Sequence, residues 1–243
     1  MRAAAGRSAH AVDGRFGNTE PSALVTPASV PVILGRLLTR GSAGRPSGPV
    51  PLVPGAPDGA PGAAAVTWFG HSSVLLEIDG QRLLADPMWS ERASPSRTVG
   101  PRRLHPAPTG LDRLPAFDAV LISHDHYDHL DKTTVTTLAA LSGAPFIVPL
   151  GIGGHLRRWG VPAARIVELD WGQATRVGDL TLTCVECRHF TGRRTARNTT
   201  QWSAWAVTGP SHRVYFGGDT GYTAAFARTA SSGVMCTSGQ RSA

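Results

Sequence analysis

From Ala64 onward the chain alternates short apolar runs with turn-forming residues, a rhythm that predicts strands more often than helices. Ala64 to Phe69, Val74 to Ile78 and Arg82 to Ala85 read as strands, the last two joined by Asp79-Gly80, a dipeptide suited to a tight hairpin turn. Phe117 to Ser123 is nearly continuously apolar, as a strand covered on both faces would be. Asp131 to Leu141 reads as a helix, with Asp131 as N-cap and Gly143 as its stop. Further on, Phe146 to Val148 predicts a strand and Gly154 to Trp159 a helical turn ended by Gly160. Arg165 to Leu169, Leu180 to Glu186, Gln201 to Val207 and Arg213 to Phe216 follow as strands. Many strands with a few interspersed helices predict an α/β sandwich, sheets layered with helices, rather than a regular doubly wound parallel sheet.

The flanks differ in composition. Residues 1–62 are rich in Ala, Gly, Pro and Ser and lack sustained apolar periodicity apart from a patch at Val30 to Leu38, so they read as low-complexity tail and linker. Residues 63–227 form the expected domain, and 228–243 read as an unstructured tail. The basic start breaks at once into polar residues, which predicts no export and a cytoplasmic protein. No apolar run approaches the roughly 18–20 residues that span a bilayer, so no transmembrane segment is expected. Three cysteines are too few for a disulfide-stapled scaffold and fit a reducing compartment. The formal charge is +7, but the basic residues are scattered and no aromatic-interleaved basic cluster accompanies them. No specific nucleic-acid partner is therefore expected.

The densest chemistry is Ser123-His124-Asp125-His126-Tyr127-Asp128-His129, directly beyond the apolar segment 117–123. In an extended loop, residues two apart face the same way, so His124 and His126 can share one ion while Asp128 and His129 serve another. Imidazole and carboxylate without thiolate suit Zn²⁺ first, with Fe or Mn as further candidates, in one or two ions. Cys184 and Cys187 fall in a predicted strand, where residues three apart point to opposite faces, and so read as neither a redox nor a zinc pair. His10, His105, His155 and His212 have no ligand-type neighbours and read as solvated.

The His-x-His-x-Asp-His pattern of His124 to His129 resembles the hallmark of the metallo-β-lactamase superfamily. Thr67-Trp-Phe-Gly-His-Ser-Ser73, Ala85-Asp-Pro87, Val99-Gly-Pro-Arg102 and Gly217-Gly-Asp-Thr-Gly-Tyr222 are similar to the branch containing N-acyl-phosphatidylethanolamine phospholipase D and the ascorbate-phosphate lactonases. The likeness runs over about residues 64–226 and extends to Gly14-Arg-Phe-Gly-Asn18. It implies an α/β fold, an αββα sandwich. It also implies that His124, His126 and His189 hold a first metal, that Asp128 and His129 hold a second, and that Asp219 bridges them. His71 and Asp86 would support them, Asp86 by accepting the second N–H of a ligand imidazole. The implied activity is metal-dependent hydrolysis of a phosphodiester, lactone or related ester of a small-molecule or phospholipid-like substrate, with Asp128 as the catalytic group that orients or deprotonates the attacking water.

The resemblance also implies a last His ligand well after the bridging Asp, whereas no His follows His212 and residues 220–243 contain no acid. The expectation is a shortened chain whose second half of the sandwich is incomplete. That leaves a catalytically impaired remnant holding one ion as the alternative to a working enzyme, and a nuclease of the same superfamily as a further one.

Overall fold

The structure is a computed structural model that describes residues 5–6, 8–20, 31–32, 35, 39, 46–96, 98–193, 196–227 and 235–236. Asp79 and Gly80 both take positive φ, 46° and 81°, the geometry of a tight hairpin turn that suits the right-handed twist of its strands. That turn joins β4 (Ser73–Ile78) to β5 (Gln81–Ala85), and β3 (Ala64–Gly70) pairs with β4 on the other side. β6 (Ala119–Leu121), β7 (Phe146–Pro149) and β8 (Ile166–Leu169) extend the sheet in parallel, in the order β3-β4-β5-β6-β7-β8.

A second sheet, in the order β15-β14-β13-β10-β9, is built from β9 (Ala174–Val177), β10 (Leu180–Val185), β13 (Ala204–Thr208), β14 (Arg213–Phe216) and β15 (Met235–Cys236). Two small hairpins, β1 (Ala11–Val12) with β2 (Arg15–Phe16) and β11 (Gly192–Arg193) with β12 (Ala196–Arg197), complete the strands among the described residues.

One apolar cluster fills the space between the sheets, joining Leu76, Leu83 and Leu121 of the first to Leu182, Trp205 and Val207 of the second. The other covers the opposite face of the first sheet, where Leu84, Val120 and Phe146 meet Val135 and Leu138 of α1 (Lys132–Leu141) and Leu156 of α2 (Gly153–Arg158). The layers run helix, sheet, sheet, the α/β sandwich expected from the strand-rich pattern. Each fully buried aliphatic side chain contributes roughly 1.5–3 kcal/mol, so these two layers dominate the stability of the domain. β10 alternates between buried and half-buried positions, and by the pairing register Tyr215 lies on the outer face of the second sheet, where its ring meets Phe226 at 6.0 Å.

Several expectations need correction. Residues 8–20 are not tail: Phe16 is buried in the inter-sheet core. The region 228–243 includes β15, which pairs in parallel with β14, and the patch from Val30 to Leu38 lies mostly outside the described residues. Asp131 caps α1 by accepting the Thr133 N–H and the helix ends at Leu141, both as expected, with an extended Ser142 (φ −135°) as C-cap before Gly143. β9 had no clear signal, because Ala-Thr-Arg-Val is short and mostly exposed along one face.

The topology sets the site. β5 and β6 are parallel, with Ala85 opposite Leu121, so Asp86 and Ser123 leave the sheet at the same edge. β10 and β14 both run antiparallel to β13, which brings His189 and Asp219 out at a common edge of the second sheet. Ser203 N–H donates to Ser123 O at 2.9 Å and Trp205 Nε1–H to Ile122 O at 3.0 Å, stitching the two edges together.

Candidate metal centre

Asp86 is fully buried and sits at φ +43°, a left-handed conformation uncommon outside glycine and Asn/Asp. Its carboxylate accepts from Ser123 N–H at 2.7 Å, from Ser123 Oγ at 2.5 Å and from His129 Nδ1 at 2.7 Å. With Nδ1–H held there, His129 turns its Nε2 outward toward the cluster. His124 is held from behind by Ser123 Oγ, 2.9 Å from its Nδ1.

His124 Nε2 then lies 2.9 Å from His126 Nδ1, and His189 Nε2 lies 3.2 Å from that same atom. Hydrogen bonds do not satisfy this trio: His126 Nδ1 can donate one proton or accept one, yet two ring nitrogens address it. Nitrogens bound to one tetrahedral zinc at about 2.0–2.1 Å stand about 3.3 Å apart, close to what is seen here, so the trio fits a divalent cation. A second group, His71, Asp128 and His129, also offers ligand atoms within 4.8 Å of one another. Asp219 spans the two groups, with Oδ1 3.4 Å from His129 Nε2 and Oδ2 3.9 Å from His189 Nε2. Gly218, at φ +56°, permits this approach, since a Cβ there would come within 2.6 Å of the Ser123 Cβ.

Electrostatics hold three of the imidazoles in the neutral, cation-ready form. Burial, and then the neighbouring imidazoles, hold His124 well below its ordinary pKa. Burial also lowers His126, and burial with the adjacent His126 brings His189 down to about 4. All three therefore keep a free lone pair at neutral pH. His129 goes the other way: burial opposes its charge, but Asp86 and Asp219 outweigh it and push the ring up to about 10. Burial likewise opposes charge on Asp128 and Asp219, yet the His71 hydrogen bond and His129 keep Asp128 well below the usual carboxylate range, and His129 lowers Asp219.

Each residue singled out from the sequence is thus found at one edge: His124, His126, Asp128, His129, His189 and Asp219, with Asp86 beneath. His71 reaches the group from outside. Its side chain is exposed, at φ +52° in the irregular β3–β4 turn, and Nε2 lies 2.8 Å from Asp128 Oδ2. His155 and His212 are not solvated as expected. His155 is buried, with Nε2 3.6 Å from Asp125 Oδ2, and His212 Nδ1 lies 2.6 Å from Asp79 Oδ1. Burial pushes the Cys184 and Cys187 thiols up, which disfavours thiolate.

Three further residues support the cluster, in roles the sequence did not assign. Asn18 brackets His189, donating from Nδ2 to its carbonyl at 2.8 Å and accepting its N–H at 3.1 Å. Asp125 accepts from Gly192 N–H at 2.8 Å and Thr200 Oγ1 at 2.9 Å. Arg193 donates to the carbonyls of Asp125 and Leu130 at 2.9 and 2.6 Å while its guanidinium lies 4.0 Å from the centre of the Tyr127 ring.

The sequence profile of the beta-lactamase superfamily domain matches residues 81–238, which include every residue of this cluster except His71. The chain belongs to the metallo-β-lactamase superfamily. Among superfamily relatives, an uncharacterised protein of Mycobacterium tuberculosis is 55% identical over 229 residues, covering 93% of this chain and 62% of its own. The N-acyl-phosphatidylethanolamine-hydrolyzing phospholipase D 1 of Caenorhabditis elegans is 37% identical over 166 residues, covering 64% of this chain and 46% of its own. The chain thus spans less than two thirds of the length of these relatives. Among solved structures, the isothiocyanate hydrolase from Delia radicum gut bacteria shares the fold with a TM-score of 0.52 at 18% identity, covering 68% of this chain and 66% of that one. No helix among the described residues is long and apolar enough to cross a membrane.

Proposed function

We propose that this superfamily member is a metal-dependent hydrolase acting on a phosphodiester, lactone or related ester, with Zn²⁺ as the favoured ion and Fe or Mn as the other candidates. The observation that carries the reading is the position of Asp219, whose two carboxylate oxygens address His129 on one side and His189 on the other. In this reading His124, His126 and His189 hold one ion, Asp128 and His129 a second, and Asp219 lies between. When bound, the ions supply Lewis acidity to the scissile carbonyl or phosphoryl oxygen and bring a water's pKa near 7.

The chain's own groups do the rest. Asp86 holds the Nδ1 proton of His129, so Nε2 is the nitrogen that would give up its proton to an ion. His71 ties one oxygen of Asp128, 2.8 Å away, which leaves the other to orient the attacking water and accept its proton. The likeness to the nematode phospholipase supports a phosphodiester as the first substrate class to test.

The test is elemental analysis of the purified chain, followed by turnover of bis-nitrophenyl phosphate with Zn²⁺ or Mn²⁺ added. At least one ion per chain and turnover abolished by His124→Ala are expected. No bound metal, or equal turnover in the variant, would contradict the reading.

A further inference from the structure

A cavity of about 800 Å³ opens on the reverse side of the loop that carries the imidazoles. The loop closes as a turn over residues 126–130, where Leu130 N–H donates to His126 O at 2.8 Å, and its side chains divide between two sides. His124 and His126 face the metal cluster, whereas Asp125 and Tyr127 line the cavity, and none of the six clustered residues reaches it. Four cations contribute to its wall: Arg92, Lys132, Arg158 and Arg193.

The acids around it are already engaged. Glu91 pairs with Arg102. Asp131 accepts from Thr133 N–H, Thr134 Oγ1 and Ser90 N–H. Asp125 is buried and accepts from Gly192 and Thr200. Arg193 is stacked between the rings of Tyr127 and Trp159, at 4.0 and 5.2 Å, and bonds backbone carbonyls rather than a carboxylate. Lys132 and Arg158 are exposed and have no carboxylate within ion-pair distance among the described residues. A concave wall with more cations than acids focuses positive potential inside it, and guanidinium and ammonium groups match phosphoryl oxygens. The hydroxyls of Ser94 and Ser96 also border the space.

We infer that this cavity binds a phosphate monoester, with the phosphoryl group between Lys132 and Arg158 and the organic part against Tyr127 and Trp159. The volume is larger than a bare phosphate needs, which favours an ester. The ligand is separate from the substrate of the metal cluster, because the imidazole loop stands between them. Occupancy would be felt at the cluster nonetheless, since both sides of one short loop form the two walls.

The test is calorimetric titration of the full chain, as purified and after chelation, with glycerol 3-phosphate and with inorganic phosphate. One glycerol 3-phosphate per chain is expected in both preparations, and the Lys132→Gln/Arg158→Gln double variant should bind about tenfold or more weakly with its metal content unchanged. Both substitutions are at exposed helical positions, and an unaltered circular dichroism spectrum checks that the variant folds. Binding that disappears on chelation would move the anion to the metal cluster and overturn the proposal while leaving the hydrolase reading intact. Equal affinity in the double variant, no saturable binding, or binding of inorganic phosphate alone would also overturn it.

Discussion

Replacing Asp86 separates two jobs that one buried carboxylate performs. Asp86→Ala leaves Ser123 N–H without an acceptor and His129 Nδ1–H with only the distant Ser123 Oγ, 3.5 Å away, in a site closed to solvent, while Ser123 Oγ keeps His124 Nδ1 as a partner. Breaking a buried charged pair by removing one partner costs about 3–5 kcal/mol, and two orphaned donors at about 1.5–3 kcal/mol each give a similar figure. For a chain of this size that corresponds to a fall in Tm on the order of 10 °C.

Asp86→Asn keeps the volume and the bond to Ser123 N–H through its oxygen, so its stability loss should be clearly smaller. Its amide, however, presents N–H to His129 Nδ1, which forces the imidazole proton onto Nε2 and removes the lone pair aimed at the cluster. Loss of such a support costs about 10–100-fold in metal affinity. The assay pairs thermal denaturation with competition against a chelator of known affinity. Asp86→Asn binding metal as tightly as the parent would refute the claim that Asp86 sets the His129 tautomer.

Other consequences follow from particular contacts. Asn18→Ala should weaken metal binding by about tenfold, because His189 loses both backbone anchors, and chelator competition reads it directly. Asp79 accepts from Ser211 N–H, His212 N–H and the His212 ring, joining the β4–β5 turn to the β13–β14 turn, and the His212 ring bond contributes most to holding its pKa below the ordinary 3.8. A lowered carboxylate pKa gives stability that is present above the unfolded value and lost as pH falls through the folded one. The Tm gap between the parent and Asp79→Asn should therefore be full near pH 6 and shrink below about pH 4; a gap independent of pH would contradict the contact. Leu121→Ala, in the layer between the sheets, should cost about 2–5 kcal/mol in urea denaturation, and a loss below 1 kcal/mol would show that the two sheets do not share that core.

What could be read from the sequence was local. Asp79-Gly80 declared its turn because both residues tolerate positive φ, and the apolar run before Ser123 declared a strand covered on both faces. The imidazoles of residues 124–129 were conspicuous because they are contiguous. Asp86 drew notice only through its neighbourhood, and the reason for its burial, three donors converging from a loop 37 residues away, lies in the parallel pairing of β5 with β6. Asn18 was marked only by the likeness over Gly14 to Asn18, and its role stayed hidden because its partner His189 is 171 residues distant and the surrounding Ala-, Gly- and Pro-rich composition reads as tail. His155 was misjudged because its neighbour Asp125 is brought to it by the fold, not by the chain. β9 and the β11–β12 hairpin are short and partly exposed, so tertiary pairing rather than local pattern makes them strands.

The cluster's purpose can be tested most directly by zinc-edge X-ray absorption on the purified chain loaded with Zn²⁺. Coordination by three or more imidazole nitrogens near 2.0 Å, lost in His126→Ala, is the predicted result. A spectrum dominated by sulfur near 2.3 Å, or zinc that washes away equally from parent and variant, would contradict it.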